Sequence, residues 1–310
     1  MTTKPITVLG AFMADLVARA DRMPAWGETL RGNSFAMGPG GKGSNQAVAA
    51  ARQGAPTHLI TRLGRDAFAR MARDVYTDEG LDTRFVAEDA DRTTGTASIT
   101  VDDASGENAI ITVPGAAEAV SEADVDAAAS VITESAVFIS QLELPTNVCR
   151  YGIGIAHERG VPVLLNPAPA LDLPDELLAK VDYLTPNESE AAGLTGQAVA
   201  SAEEALAAAR TLRERGVTHV LVTLGAEGVC ISSPDYEGVI PAAHAGATVE
   251  TTGAGDAFNG AFAAAIAEGQ SLASAARLGT TAAGIAVTRP GAALAIPRRQ
   301  EVDALLQAPH

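Results

Sequence analysis

The sequence predicts an α/β fold built on a mostly parallel central sheet, and three patterns lead to this prediction. Short apolar segments without strict alternation recur along the 310 residues, as in strands that are buried on both faces. Alanine-rich segments of helical composition separate them. Each of these predicted helices stops at a glycine, the residue that favours the position just after a helix end. Such alternation of strands and helices indicates right-handed crossovers.

The individual elements follow from these patterns. The predicted strands are Ile6–Gly10, Leu59–Gly64, Ala136–Gln141, Val161–Asn166, Val181–Thr185 and His219–Gly225. The predicted helices are Ser44–Gln53, Ala202–Arg215 and Asp256–Glu268, which stop at Gly54, Gly216 and Gly269.

Two regions depart from this alternation. Residues 11–40 are rich in turn residues and are predicted to be irregular. Residues 93–113 contain two alternating stretches joined by a turn at 102–106, which is typical of a β-hairpin. Because no linker or low-complexity segment separates them from the rest, we predict one α/β domain over residues 1–310. Parts of 11–40 and 93–113 are expected to form a small β lid on it.

Composition excludes several classes of function. The chain has 22 Lys and Arg against 38 Asp and Glu, a formal net charge of −16, so it lacks the cationic surface that nucleic acids and anionic membranes attract. An apolar fraction of 47% supports an ample core. No apolar run approaches a membrane span of ~18 residues, and no targeting segment is recognised. With only two cysteines, Cys149 and Cys230, the chain is expected to be cytoplasmic. From its charge we expect no nucleic-acid or membrane partners.

A glycine-rich segment, residues 38–43, leads into the first predicted helix. Its GPGGKG sequence has the spacing of a dinucleotide-binding loop, but that motif needs a strand directly before it, and residues 31–37 follow the irregular region. It is not a P-loop, because Gly43 follows Lys42 where Ser or Thr is needed. Two interpretations stay open. The segment is a helix-entry turn, or its glycines let the backbone approach a polar ligand to which Asn45 offers a donor and an acceptor.

The segment TTGAGDAFNG, residues 251–260, opens another predicted helix. The free N–H groups of Gly253, Ala254 and Gly255 and the positive helix end would form an anion site. Asp256 lies in that first turn, where a carboxylate also simply complements the helix dipole. An anion site next to a carboxylate suits phosphoryl transfer, because the carboxylate can take a hydroxyl proton while the amides stabilise the transferring phosphate.

Polar residues also follow several predicted strands. Glu143, Asn166, Asn187 and Thr223 each come at or just after the end of a different strand. Taken singly, each of these residues could have a purely structural role in a turn or a helix cap. Together they predict a cleft, because ligands of open α/β sheets bind outside the carboxyl ends of the strands.

These motifs, taken together, resemble the ribokinase-like, or PfkB, carbohydrate kinases along essentially the whole chain. The matching segments are GGKGSNQAVAAARQGA (40–55), LNPAPA (165–170), TPNESEAAGLTG (185–196), VTLGAEGV (222–229) and TTGAGDAFNG (251–260). The resemblance implies a three-layer α/β sandwich with a β lid that also forms a homodimer contact. It implies ATP-dependent phosphorylation of D-ribose at its 5-hydroxyl, with Mg²⁺ and K⁺ as cofactors.

The resemblance also assigns site residues position by position. It implies that Asp256 is the general base and that Gly253, Ala254 and Gly255 form the anion hole. The sugar-binding residues would be Asp15, Gly41, Lys42, Asn45, Glu143 and Asp256. The residues near the nucleotide and Mg²⁺ would be Asn187, Glu190, Thr223, Gly225, Gly228, Gly255 and Thr280. The monovalent-cation residues would be Glu250, Thr252, Ala286, Arg289, Gly291 and Ala295.

Three positions depart from the family pattern. Met13 stands where these kinases often have an Asn that contacts the sugar, Glu250 replaces an Asp, and Ala295 replaces a Ser. A kinase of the same superfamily that acts on fructose, a deoxyribose or a nucleoside therefore stays open as the alternative. A dinucleotide oxidoreductase is disfavoured because no acid ends the second strand before Asp66, and a non-catalytic sugar-binding descendant because Asp256 is present.

Overall fold

A computed structural model of the protein describes residues 4–308. The strands are β1 (Ile6–Leu9), β2 (Met13–Ala20), β3 (Ser34–Gly40), β4 (Thr57–Leu63), β5 (Val86–Glu88), β6 (Thr96–Asp102), β7 (Asn108–Val113), β8 (Val137–Ser140), β9 (Val163–Leu165), β10 (Tyr183–Leu184), β11 (His219–Thr223), β12 (Val229–Ser232) and β13 (Glu237–Ile240). The α-helices are α1 (Lys42–Arg52), α2 (Ala67–Asp78), α3 (Glu122–Ala127), α4 (Ala129–Glu134), α5 (Thr146–Glu158), α6 (Asp175–Leu178), α7 (Glu188–Thr195), α8 (Ala202–Glu214), α9 (Ala254–Ala267), α10 (Leu272–Ala286) and α11 (Arg299–Gln307).

The larger sheet confirms the predicted α/β class. Within residues 4–308 it has nine strands in the order β13-β12-β11-β10-β9-β8-β1-β4-β5. All its adjacent strands are parallel except at β12, which pairs antiparallel with both β11 and β13. The six predicted strands all lie in this sheet. Gly54, Gly216 and Gly269, which follow α1, α8 and α9, have positive φ, as expected for the residue after a helix end.

Helices cover both faces of this sheet and form the two outer layers of the sandwich. Side chains of β1 alternate between two hydrophobic cores: Ile6 and Val8 belong to the core that includes residues of α1, α9 and α10, whereas Leu9 belongs to the core that includes residues of α5 and α8. Burial on both faces explains why the inner strands β1, β8 and β9 are mostly apolar. Within residues 4–308, none of the helices combines the length and the hydrophobicity needed to span a membrane.

A smaller sheet of four strands lies beside the first, in the order β3-β2-β6-β7. The predicted hairpin is confirmed, since β6 and β7 pair antiparallel with Thr96 opposite Val113. The expectation that residues 11–40 are irregular was wrong for β2 and β3. Met13–Ala20 forms a regular strand because its two neighbours, β3 and β6, hydrogen-bond it on both edges, a tertiary effect without a local sequence signal.

The parallel strands place their carboxyl ends at one edge of the larger sheet. The segments that follow β8, β9, β10 and β11 carry Glu143, Asn166, Asn187 and Gly225, respectively. The helix α9 packs against α1, and both lie over the same face of the sheet. This arrangement brings the glycine-rich segment before α1 and the segment before α9 to the edge where the strand-end residues meet.

Candidate active site

Asp256 lies in the first turn of α9, whose N-cap is Gly253 in the left-handed region with φ of 78°. Its side chain is only 6% exposed. The N–H of Ala254 donates to the Thr251 carbonyl at 3.2 Å. The N–H groups of Gly253, Gly255 and Asp256 have no such partner within residues 4–308. Free N–H groups at a helix N-terminus bind anions, so Gly253 and Gly255 offer the donors predicted for the anion site, whereas the third predicted donor, the Ala254 N–H, is already paired.

The helix α1 supplies the groups that face Asp256. Lys42, Asn45 and Gln46 occupy positions i, i+3 and i+4 and therefore share one face of the helix. Asn45 Nδ2 donates to Asp256 Oδ2 at 2.9 Å, and Gln46 Nε2 donates to Asp256 Oδ1 at 2.9 Å. Close packing of the two helices at Gly260 permits this approach, since a Cβ on Gly260 would lie 2.3 Å from Ala49 Cβ.

A chain of buried amides extends from Gln46 across the end of the sheet. Its Nε2 also donates to Asn166 Oδ1 at 3.1 Å, and its Oε1 accepts from Gln141 Nε2 at 2.6 Å. Asn166 in turn donates to the Thr185 carbonyl at 3.0 Å. Sequence reasoning placed Asn166 at this edge but missed Gln46 and Gln141. The available signal was a pair of glutamines within otherwise apolar or small-residue segments.

Lys42 is a half-buried cation among carboxylates. Burial alone would lower the pKa of its ammonium group, but Asp256 and Glu143 raise that pKa above its ordinary value. The Lys42 backbone N–H also donates to Glu143 Oε2 at 2.8 Å. Lys42 is therefore a charged group that partly offsets the electrostatic cost of the surrounding acids.

The carboxyl groups around Lys42 titrate abnormally because they are buried. Burial raises the pKa of Glu143 to about 7, against the lowering effect of Lys42. Burial, followed by the charge of Asp256, raises the pKa of Asp15 to about 6. The pKa of Asp256 is also raised by burial, while Lys42 and the two amide donors oppose that rise. Such perturbed groups in a cleft are typical of functional sites.

Two cavities meet beside Asp256. The larger, of about 540 Å³, is lined by six of the seven predicted nucleotide residues: Asn187, Thr223, Gly225, Gly228, Gly255 and Thr280. The smaller, of about 290 Å³, is lined by Lys42, Asn166, Glu190, Asp256 and Asn259 among others. The residues that line both are Asn187, Thr223, Thr251 and Gly255. The two spaces therefore adjoin at the N-terminus of α9.

Asn187 and Glu190 form a reciprocal cap at the start of α7. Asn187 Oδ1 accepts from the Glu190 N–H at 2.8 Å, and Glu190 Oε2 accepts from the Asn187 N–H at 2.9 Å. Both residues line the smaller cavity. The cap fixes the Glu190 carboxylate at the cavity wall, where it could accept hydrogen bonds from water bound to Mg²⁺. The donor set thus fits the predicted role.

The predicted monovalent-cation residues come from two segments that contact one another. Glu250 Oε2 accepts from the Gly291 N–H at 2.9 Å, and the Arg289 N–H donates to the Ala286 carbonyl at 3.1 Å. Ala295 is buried and offers no side-chain oxygen. The segments therefore fit a cation held by one carboxylate and backbone carbonyls, with one side-chain ligand fewer than the family pattern.

The predicted residues fall into three groups. Those that line the cavities or contact Asp256 are Lys42, Asn45, Asn187, Glu190, Thr223, Gly225, Gly228, Thr252, Gly253, Ala254, Gly255 and Thr280. Asp15, Gly41 and Glu143 lie by Lys42 outside the walls of both cavities, and the cation residues Glu250, Ala286, Arg289, Gly291 and Ala295 lie next to the anion site. Asn259, which sequence reasoning missed, lines the smaller cavity and donates to the Gly255 carbonyl at 2.9 Å.

The chain is similar to known proteins over nearly its whole length. Residues 3–299 match the family described as pfkB family carbohydrate kinase. The chain belongs to this family. The ribokinase of Haemophilus influenzae is 41% identical over 304 residues, which cover 98% of this chain and 99% of that protein. Family membership confirms the predicted resemblance and the prediction of a carbohydrate kinase.

Two further relatives extend the comparison. The deoxyribokinase of Salmonella typhimurium is 35% identical over 302 residues, 97% of this pfkB-family chain and 98% of that protein. The structure of Arabidopsis thaliana ribokinase complexed with ribose and ATP has a TM-score of 0.91 and 31% identity, and the match covers 100% of both chains. This likeness confirms the predicted ribokinase-like fold.

Proposed function

We propose that this protein is a sugar kinase that transfers the terminal phosphoryl group of ATP to the 5-hydroxyl of D-ribose. The observation that carries the proposal is the position of Asp256, a buried carboxylate at a helix N-terminus where two adjoining cavities meet. The identity to ribokinases over nearly the whole chain supports ribose as the substrate. Buried cysteines in the free thiol form support a cytoplasmic location.

In this proposal the sugar occupies the smaller cavity and the space next to it around Lys42. Asp256 accepts the proton of the 5-hydroxyl as that oxygen attacks phosphorus. Asp15, Asn45 and Glu143 bind the other hydroxyls, because a hydroxyl left unpaired in a dry site costs free energy. Lys42 keeps a positive charge beside these carboxylates and beside the incoming phosphate.

The larger cleft holds ATP, with its phosphates directed toward α9. The free N–H groups of Gly253 and Gly255 stabilise negative charge on the transferring phosphoryl group. Mg²⁺, when bound, supplies charge neutralisation on the phosphates, and Asn187 and Glu190 would hold its water ligands. We include K⁺ in the proposal, held by Glu250 and by backbone carbonyls next to the anion site.

The four-stranded sheet is proposed to be both a lid and a dimer contact. Asp15 and Gly40 place two of its strands beside the sugar site, and closure there would exclude water from the reaction. Its exposed apolar side chains support a homodimer: Phe35 is 67% and Ile111 is 70% exposed. Ile111 lies in one cross-strand row with Met37, so these side chains share a face.

Charging this face is expected to disrupt the dimer. We expect the wild-type protein to sediment as a dimer at micromolar concentration and Ile111→Lys to sediment as a monomer, because a buried unpaired ammonium is costly. Asn108→Lys, on the opposite face of β7, is the matched control and should stay dimeric. A monomeric wild type in analytical ultracentrifugation would refute the dimer.

A second candidate substrate is a deoxyribose, and Met13 is the observation that favours it. Met13 is buried and shares a face of β2 with Asp15, and its backbone approaches Gly41. A thioether donates no hydrogen bond and accepts only weakly, so an apolar side chain here suits a sugar that lacks one hydroxyl. The similarity to a deoxyribokinase supports this candidate.

A coupled ADP-release assay over a panel of sugars and nucleosides tests the proposed function. We expect ADP release to require a pentose and to rise when Na⁺ is replaced by K⁺. The kcat/KM ratio of D-ribose to 2-deoxyribose discriminates between the two candidates. If Met13 sets that ratio, Met13→Asn should raise it by about tenfold, the effect of one good hydrogen bond. ADP release that no sugar or nucleoside stimulates would contradict the kinase assignment.

A further inference from the structure

The buried side chain of Gln46 has no task in the mechanism described so far. It is 0% exposed, although it lies on α1 among alanines, where an apolar residue would fill the same space. Burial of an amide is costly unless its groups are hydrogen-bonded. All of its capacity to donate is used, on Asp256 and Asn166, and its oxygen accepts from Gln141.

The orientation of this amide is fixed by its neighbours. An ionised carboxylate only accepts hydrogen bonds, so Gln46 must turn its NH₂ group toward Asp256. Its carbonyl oxygen then faces Gln141, whose NH₂ group donates to it at 2.6 Å. Gly10 leaves the room for Gln141, since a Cβ there would lie 2.3 Å from Gln141 Oε1. If the Gln46 amide were flipped, its NH₂ group would face the NH₂ group of Gln141, and two donors would oppose each other.

The two oxygens of Asp256 are held differently. Oδ1 accepts from Gln46, which belongs to the buried amide chain, and Oδ2 accepts from Asn45. Asn45 Oδ1 is buried and has no hydrogen-bond partner within residues 4–308. A sugar hydroxyl would supply that partner, so the sugar is expected on the Asn45 side of the carboxylate. Oδ2 is then the oxygen nearer the hydroxyl, and Oδ1 is the oxygen that is anchored.

We propose that Gln46 is a positioning residue for phosphoryl transfer, which holds Asp256 through Oδ1 so that Oδ2 points at the attacking hydroxyl. This inference rests on the proposed function, in which Asp256 is the general base. Gln141 and Asn166 act one step further out, since they fix the amide of Gln46. Held geometry of this kind contributes to rate because a base must lie within hydrogen-bond reach of its proton.

Gln46 also affects the charge of the carboxylate that it holds. Burial raises the pKa of Asp256, and donation by Gln46 opposes the rise, so loss of this donor should raise the pKa further. Other titratable groups act on the same carboxyl and must stay unchanged in the test. They are Lys42 on α1, Asp15 on β2, Glu143 after β8 and Glu190 on α7.

The substitution Gln46→Glu tests the inference with little change of shape. It replaces the donor by a second carboxyl against Asp256, so kcat should fall by about 10–100-fold at pH 7, while the KM for the sugar changes less than about threefold. The acid limb of the kcat/KM profile should move up by about one pH unit or more. A role in packing alone would lower stability without moving that limb.

Gln53→Glu is the matched control. Gln53 follows the last turn of the same helix, is also buried, and donates through Nε2 to the Pro297 carbonyl at 3.0 Å, away from Asp256. It should lose stability yet keep the wild-type pH profile. Gln141→Met supplies an independent measurement if Gln46→Glu does not fold, because it removes only the hydrogen bond that orients Gln46. Its acid limb should move in the same direction by a smaller amount.

The outcomes separate this inference from the proposed function. A wild-type kcat and pH profile in Gln46→Glu would overturn the positioning role, and if that variant does not fold, a wild-type profile in Gln141→Met would overturn it. If Asp256→Asn loses turnover in the same experiment, the general base stands and only the positioning role fails. Normal turnover in Asp256→Asn would instead reject the proposed mechanism itself.

Discussion

Asp256→Asn is expected to lower kcat by about 10²–10⁴-fold, the usual contribution of a general base, while sugar binding is retained. The amide cannot take the hydroxyl proton, but it fits the same space. Its oxygen can accept from Gln46, and its NH₂ group can donate to Asn45 once that side chain turns its unpaired oxygen inward. Sugar-dependent ADP release and isothermal titration with the sugar measure the two effects separately.

Asp256→Asn is also expected to be more stable than the wild type, by an amount that grows as the pH rises. Burial raises the pKa of Asp256 above its value in the unfolded chain, so ionisation costs folding free energy as the pH rises through the folded-state pKa. The amide bears no such cost. We therefore expect the free energy of unfolding of Asp256→Asn to exceed that of the wild type increasingly from about pH 4 upward, as chemical denaturation would measure.

Asp124→Asn is the control with the opposite sign. Burial alone would raise the pKa of Asp124, but hydrogen bonds from Arg62 and Ser121 hold it below its ordinary value. That carboxylate therefore contributes stability above its unfolded pKa and loses it as the pH falls. At neutral pH Asp124→Asn should cost about 1–3 kcal/mol and leave kcat unchanged. Near-normal turnover in Asp256→Asn would rule out the general base, whatever its stability.

The sequence predicted six of the nine strands of the central sheet because those six are mostly apolar, whereas β5, β12 and β13 were not predicted. Val163–Leu165 and Tyr183–Leu184 are very short, yet both were found, since they are followed by Asn, Pro and Thr at the strand ends. The local pattern did not predict the strand Met13–Ala20, although part of residues 11–40 was expected in the β lid. It belongs to a sheet that is open to solvent on part of its surface, where polar and apolar residues mix and pairing with β3 and β6 decides the structure.

The site residues likewise divide into those that have a local sequence signal and those that do not. Asp256, Lys42 and the N–H groups before α9 lie in short contiguous segments, so local pattern and family resemblance found them. The contact of Gln46 with Gln141 joins residues 95 positions apart, and that with Asp256 joins residues 210 apart. No local pattern encodes such a pair. Only the packing of α1 on α9 and on the end of the sheet brings the amides into hydrogen-bond distance.

The net charge of −16 contrasts with the positive groups that line the site. The overall field should hinder rather than steer the approach of ATP, which is itself an anion. Lys42 and the free N–H groups of Gly255 and Asp256 are the fixed positive groups at the junction of the two cavities. Binding of an anion in this chain must therefore depend on short-range groups and on cations bound with the substrate.

Gly260→Ala is expected to destabilise the protein strongly and to lower its activity. Its Cβ would lie 2.3 Å from Ala49 Cβ and 2.6 Å from the Gln46 carbonyl oxygen, so α1 and α9 would have to separate. Overpacking of this kind costs about 1–3 kcal/mol and here meets backbone that cannot rotate away. Because the strained contact includes Gln46, the hydrogen bond to Asp256 should lengthen, and kcat should fall together with the free energy of unfolding.

Gly193→Ala separates this steric effect from helix propensity. Gly193 is also a helical glycine, on α7, but an added Cβ there meets nothing within 4 Å. Its replacement should raise the free energy of unfolding by about 0.5–1 kcal/mol through helix propensity and leave kcat unchanged. The same chemical change thus has opposite signs at the two positions. Equal effects in denaturation experiments would show that contact between α1 and α9 does not hold Asp256 in place.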